Sequence, residues 1–170
     1  ATDTTTWGTP FNPGNIALTM KKLSITHTAF AYQRGEPQSK PNEFDHENLI
    51  FNNINLDVAD TKVVADTLFA DIQKFQVEER CGLAVKELKG KLKLSQVQAQ
   101  LSEMRLQTNN SLLQDHYEMR YRNFHDFAHY IERVNMIADL RNSNISSIDI
   151  AYFANMLNQY PISVDLSGHA

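Results

Sequence analysis

Residues 83–113 read LAVKELKGKLKLSQVQAQLSEMRLQTNNSLL. In the first half Leu88, Leu92 and Leu94 fall on one parity, and Lys89, Lys91 and Lys93 fall on the other. Period-two alternation places the two sets on opposite faces of a strand. Gly90 stands where the apolar face expects a side chain, which predicts a bulge or a close backbone approach. A second run follows, with Met104, Leu106 and Thr108 on one face and Glu103, Arg105 and Gln107 on the other. Strands with one apolar and one polar face are the unit from which the chain is built.

The whole chain sets bounds on what such strands form. Its 170 residues suit one domain with a core large enough to fold. Hydrophobic residues make up 42% and charged residues 21%, a globular composition. No apolar run approaches the roughly 18 residues of a spanning helix. A formal net charge of -4 argues against a nucleic-acid partner. Cys81 is the sole cysteine, so no intrachain disulfide forms. The chain opens on ATDTTTWGTP, without an initiator Met, charged n-region or apolar h-region. It reads as a processed product or a piece of something longer.

Residues 1–15, rich in Thr, Pro and Gly, read as an N-terminal arm, and 16–170 as a single β-rich domain. Ile16, Leu18 and Met20, then Leu23 and Ile25, then Phe30 and Tyr32 read as short strands. Their apolar parity switches across Lys21 and Lys22, which predicts a bulge. Residues 35–48, with Pro37 and Pro41, form a long polar loop. In it Asp45, His46 and Glu47 could ligate a metal, but a solvated loop is the better explanation. Ile50, Ile54, Leu56 and Val58 make another strand, and Asp60-Thr61 a turn. Val63–Val77 is ambiguous in period and tilts to strand on its β-branched and aromatic content. Cys81-Gly82 reads as a turn, and Tyr117, Met119 and Tyr121 as a strand.

The period then changes. In Asn123–Val134, Phe124, Phe127, Ala128 and Ile131 form a helical stripe, with Asn123 as N-cap. Val134, Met136, Ala138 and Leu140 return to period two, and 142–144 read as a turn. Ser147 is placed to cap a second helix over 148–158, with Asp149 in its first turn and Pro161 beyond its end. Ile162, Val164 and Leu166 make a last strand. The expected fold is therefore mainly β: a curved, antiparallel, solenoid-like sheet of about 8–10 short strands, with two short helices near the C-terminal third.

No catalytic signature stands out, and a non-enzyme without cofactors is expected. His125-Asp126-Phe127-Ala128-His129 puts two histidines at i and i+4, with Glu132 as a third candidate zinc ligand. The intervening acid is Asp, one methylene short of the zinc-protease pattern, and a solvated polar face explains both histidines without metal. No G-x-S-x-G, P-loop or G-x-G-x-x-G is present. The Lys86, Lys89, Lys91 and Lys93 row could attract phosphate, but a soluble strand face that resists edge aggregation explains it better. The opposite leucines are either core or the lining of a groove.

Four segments in order carry a family likeness: FNPGNIALTMKKLSITHTAFAYQ, ENLIFNNINLDVADTKV, FQVEERCGLAVKELKGKLKLS, and MRLQTNNSLL with the later ADLRNSNISSIDIAYFA. The third matches F-x-x-x-E-x-x-G-L-x-V-x-x-L-x-G through Phe75, Glu79, Gly82, Leu83, Val85, Leu88 and Gly90. Over most of residues 11–168 the chain resembles the AsmA/TamB-like (translocation and assembly module) envelope proteins of Bacteroidota. The resemblance implies an internal periplasmic segment of a protein anchored in the inner membrane of a Gram-negative bacterium. It implies a long curved sheet whose hydrophobic face conducts phospholipid towards the outer membrane, alongside outer-membrane assembly partners. No catalytic motif is transferred.

A lipid path needs a continuous apolar face and no directional contacts, since acyl chains gain about 0.8 kcal/mol per buried CH2. On this reading Leu88, Leu92, Leu94, Met104 and Leu106 face lipid acyl chains. The alternative is a structural or protein-interaction β-domain that uses the same strands only for packing. A metal-dependent hydrolase built on His125 and His129 is the third reading.

Overall fold

In a computed structural model the described residues are 17–34, 42–45, 47–123, 125–126, 130–154, 157, 159 and 161–169. Alternating sequence becomes eight strands: β1 (Leu18–Gln33), β2 (Asn48–Val64), β3 (Thr67–Glu79), β4 (Ala84–Leu94), β5 (Gln98–Gln107), β6 (Leu112–Arg120), β7 (Asn135–Ser146) and β8 (Ser163–His169). They form one open antiparallel sheet in which every strand pairs with its sequence neighbours, in the order β1 to β8. Two helical turns, α1 (Tyr130–Arg133) and α2 (Ser147–Ala151), lie in the β6–β7 and β7–β8 connections.

Most strands carry a bulge at the middle of the sheet. Pairing shifts register between Ala59 and Lys62 in β2, Leu101 and Met104 in β5, and Leu140 and Ser143 in β7, while β4 runs unbulged from Lys89 to Lys91 opposite the extra β5 residue. Positive-φ residues sit there: Asp60 (46°), Gly90 (145°), Glu103 (51°) and Asn142 (48°). An extra residue flips the side chains that follow it. In β2, β5 and β7 the apolar parity of the sequence flips too, so Leu56 and Val58 share a face with Val63, and Ala99 and Leu101 with Leu106. Gly90 lies opposite the extra β5 residue and meets the expectation of a close backbone approach. A Cβ there would lie 3.0 Å from the Ser102 carbonyl oxygen and 3.2 Å from Met104 Cα.

Bulges also explain where the short phrases were misread. The three phrases of residues 16–32 are one strand, β1, of 16 residues, because backbone pairing runs through each change of parity. The switch at Lys21 and Lys22 lies between the Met20–Thr61 and Lys22–Ala59 pairs, beside Asp60, without loss of register. Asp60-Thr61 and 142–144 are bulged strand rather than turns; the β2–β3 turn is Ala65-Asp66, with Ala65 at φ 52°. Polar residues marked these places correctly as breaks in alternation, but a bulge and a turn use the same left-handed residues.

Both expected helices are shortened. α1 keeps four residues, and Asn123 caps a separate tight turn by accepting from His125 N at 2.9 Å. Phe124, Phe127 and Ala128, three members of the expected stripe, lie outside the described residues. α2 ends at Ala151, and its N-cap is Ser146, which accepts from Ile148 N, rather than Ser147. Single turns of helix have little intrinsic stability, so tertiary anchors decide their extent. The arm 1–15, most of the loop 35–48, and His46 and His129 also lie outside the described residues.

Candidate functional site

Register assembles the apolar parities into rows that run across the sheet. Leu18, Val63, Leu68, Leu94, Ala99, Met119 and Met136 are successive partners from β1 to β7. Ala70, Leu92, Leu101, Tyr117 and Ala138 form the next row, from β3 to β7. Further along, Ile25, Leu56, Phe75, Leu88, Leu106 and Leu113 are partners from β1 to β6. Six strand spacings give roughly 29 Å across, and the six residue steps from Leu88 to Leu94 give roughly 20 Å along the strands. The product, about 600 Å² in projection, sits at the upper end of apolar patches on monomeric proteins.

Among the described residues there is no second sheet and no helix longer than five residues to cover these rows. Leu88, Leu92, Leu94, Leu101 and Leu106 are accordingly half-buried. Met104 differs: it is 4% exposed, seated in the bulge against Gly90. The register therefore brings the five sequence-predicted lipid-facing residues to one face, four of them partly open and Met104 closed off. The opposite face is polar and internally paired. Glu87 holds Lys89 at 2.6 Å and Arg105 at 2.8 Å, and Glu103 holds Lys91 at 2.5 Å. Both ion pairs and hydrogen bonds keep the Glu87 carboxyl below its ordinary range, and the Lys89 contact is the largest cause.

One end of the sheet is spanned by a strap that sequence reasoning missed. Asp149, in α2, accepts from Thr108 Oγ1 at 2.5 Å, Ser111 Oγ at 2.6 Å and Asn110 Nδ2 at 2.9 Å, all in the β5–β6 turn. Burial pushes this carboxyl up, but the Ser111 and Thr108 hydroxyls and the Asn110 amide outweigh it, and the net direction is down. Three residues on, the Tyr152 hydroxyl lies beside Gly82 of the β3–β4 turn. The Tyr152 carbonyl accepts from Phe44 N at 2.8 Å, and the Phe44 and Phe153 rings meet at 5.1 Å. The strap thus touches three of the four connections at its end of the sheet. Its sequence signal was the acid after Ser146-Ser147, read there only as favourable to its own helix.

Glu79 is the second buried carboxylate at this end. It accepts from Ile50 N at 3.2 Å and Cys81 N at 2.6 Å, tying β2 to the β3–β4 turn. Burial raises its carboxyl, and the Cys81 and Ile50 donors bring it below its ordinary value. Beside it the Cys81 thiol is pushed up to about 11 by burial and by Glu79.

For metal chemistry, His125 and Glu132 are exposed, and Asp126 is spent on Arg122, with contacts at 2.9 and 3.2 Å. Among the described residues no three His, Cys, Asp or Glu side chains gather as a metal ion requires. No helix among them is long and apolar enough to cross a membrane. No protein-family model, curated protein or solved structure matches the chain.

Proposed function

We propose that this chain is a lipid-binding segment of an AsmA/TamB-like envelope protein, holding phospholipid acyl chains on its apolar sheet face. The observation that carries this reading is the set of apolar rows continuous over as many as seven strands, with no layer of secondary structure over them among the described residues. An acyl chain reaches about 15 Å, half the hydrocarbon core of a bilayer, and fits within the roughly 20 Å of apolar strand. Burial of each CH2 supplies about 0.8 kcal/mol without any directional contact.

Curvature suits a conduit, and two features support it. Aligned bulges bend strands at one level. The strap also ties the β5–β6 turn to the β1–β2 connection, across four strand spacings at one end of the sheet. On this reading the segment works in the periplasm, non-catalytically and without a cofactor. The rest of the parent chain and the outer-membrane assembly machinery are its partners.

A second reading, a structural or protein-interaction β-domain, is favoured by β1. This 16-residue strand is paired on one side only among the described strands, and Phe30 and Tyr32 on it are exposed. Such an edge accepts an added strand.

Native mass spectrometry of the chain purified from a Gram-negative host, with lipid extraction, separates the two. Co-purified phospholipid that is lost in folded Leu92→Glu and Leu106→Glu variants supports the lipid-binding reading. Lipid retained in both variants, or a lipid-free protein that still captures a strand at β1, refutes it.

A further inference from the structure

We propose that the apolar rows, when no lipid lies on them, are covered by the same rows of a second copy, face to face about a twofold axis. Antiparallel sheets commonly pack one face on a core, and a domain is built of at least two layers. Here the described strands supply one layer. Among the described residues only eight hydrophobic side chains are buried, too few for a finished core. Leu18 and Met136, at the two ends of the outermost row, are 49% and 46% exposed. A second copy brings an identical sheet. Two sheets packed on their inner faces, about 10 Å apart, complete the missing layer.

Area and charge both favour this occupant. The rows cover about 600 Å² in projection, so two copies withdraw about 1,200 Å² from water, which reaches the roughly 1,200–2,000 Å² of stable interfaces. No residue in the three rows is charged, so setting the face against itself brings no like charges together. The acid at the level between the rows is Asp115, a partner of Met104 and Leu140. Arg141 lies 3.8 Å from it, so each copy carries its own countercharge. A twofold contact needs a patch complementary to itself, and an uncharged apolar plane is one.

A 10 Å gap filled by two sets of side chains leaves no space for an acyl chain, since packed interiors hold few voids. Lipid and the second copy therefore exclude one another. That consequence rests on the lipid-binding reading; the dimer itself does not.

The full chain, freed of lipid, is followed by sedimentation velocity over a concentration series. The expected result is a dimer at about 50 μM, the weak end for interfaces of this area. Hydrogen exchange of the β1 amides stays unchanged by concentration, because only side chains meet. Leu92→Glu buries an unpaired charge in each copy and weakens dimerisation at least 100-fold. Leu18→Glu, at a position already half in water, weakens it about tenfold and serves where Leu92→Glu does not fold. A monomer throughout the series overturns the proposal. So does a dimer that both variants retain, or one in which β1 amides gain protection, the mark of edge pairing.

Dihexanoyl phosphatidylcholine, added below its micelle threshold, is expected to convert the dimer into lipid-bearing monomer. Lipid bound to an intact dimer overturns the shared face. A variant-sensitive dimer that ignores the lipid, with none bound by native mass spectrometry, supports the second copy and refutes the lipid-binding reading.

Discussion

Replacing Gly90 by Ala tests the claim that the central bulge sets the close approach of β4 and β5. Two costs add. Gly90 has φ 145°, a region L-residues rarely enter, which costs about 1–3 kcal/mol. Its new Cβ would meet the Ser102 carbonyl oxygen at 3.0 Å and Met104 Cα at 3.2 Å. Both are backbone atoms, so relief requires moving β5, and overpacking of this kind costs about 1–3 kcal/mol more. The total expected is about 4 kcal/mol, a large share of the roughly 5–15 kcal/mol that stabilises a typical domain. Gly82→Ala is the internal comparison. Gly82 has φ 101°, but a Cβ there meets only the flexible end of the Tyr152 side chain, whose hydroxyl lies at 3.4 Å. It carries the backbone cost alone, about 2 kcal/mol. Urea unfolding followed by circular dichroism measures both. Equal losses for the two variants would refute the close approach, because the difference between them isolates it.

Three further outcomes are expected. The folded-state pKa values of Asp149 and Glu79 lie below their ordinary values of 3.8 and 4.5. Their contribution to stability is therefore full above about pH 4.5 and is lost as pH falls through the folded pKa values. Asp149→Asn should cost about 2 kcal/mol at neutral pH, by stranding hydroxyl donors, and should flatten the acid limb of the stability profile. An unchanged acid limb would remove Asp149 as the strap's anchor. Cys81, raised from 9.0 to about 11, should react with iodoacetamide at pH 8 about 100-fold more slowly than an unhindered thiol, from thiolate fraction alone. Reaction at the rate of free cysteine would contradict its burial beside Glu79. Tyr121→Phe should cost about 1 kcal/mol in thermal or urea unfolding, because Tyr121 is buried and its hydroxyl donates to the Ser95 carbonyl at 2.9 Å. A neutral effect would show that the bond joining β6 to the β4–β5 turn carries no stability.

Much of the apolar face was legible in residues 83–113. Leu88, Leu92, Leu94 and Leu106 read correctly as one side of two strands, since side-chain direction in a strand follows from parity alone. Met104 read as their equal, yet it is closed off in the bulge. Parity says which face a residue takes and nothing about how near the next strand comes. The strap was not legible. Asp149 is 38 to 41 residues from its partners Ser111, Asn110 and Thr108.

By itself, then, the sequence determined that this protein is mainly β, that its strands have one apolar and one polar face, and that Gly90 is a special position. Those properties are local, written into alternation and into the one residue that lacks a Cβ. Tertiary structure decided that the phrases fuse into eight strands of one open sheet, that bulges rather than turns absorb the parity changes, and that the short helical segments shrink to single turns. Register and helix extent depend on partners far along the chain. A left-handed residue fits a turn or a bulge equally well until the neighbouring strand is in place.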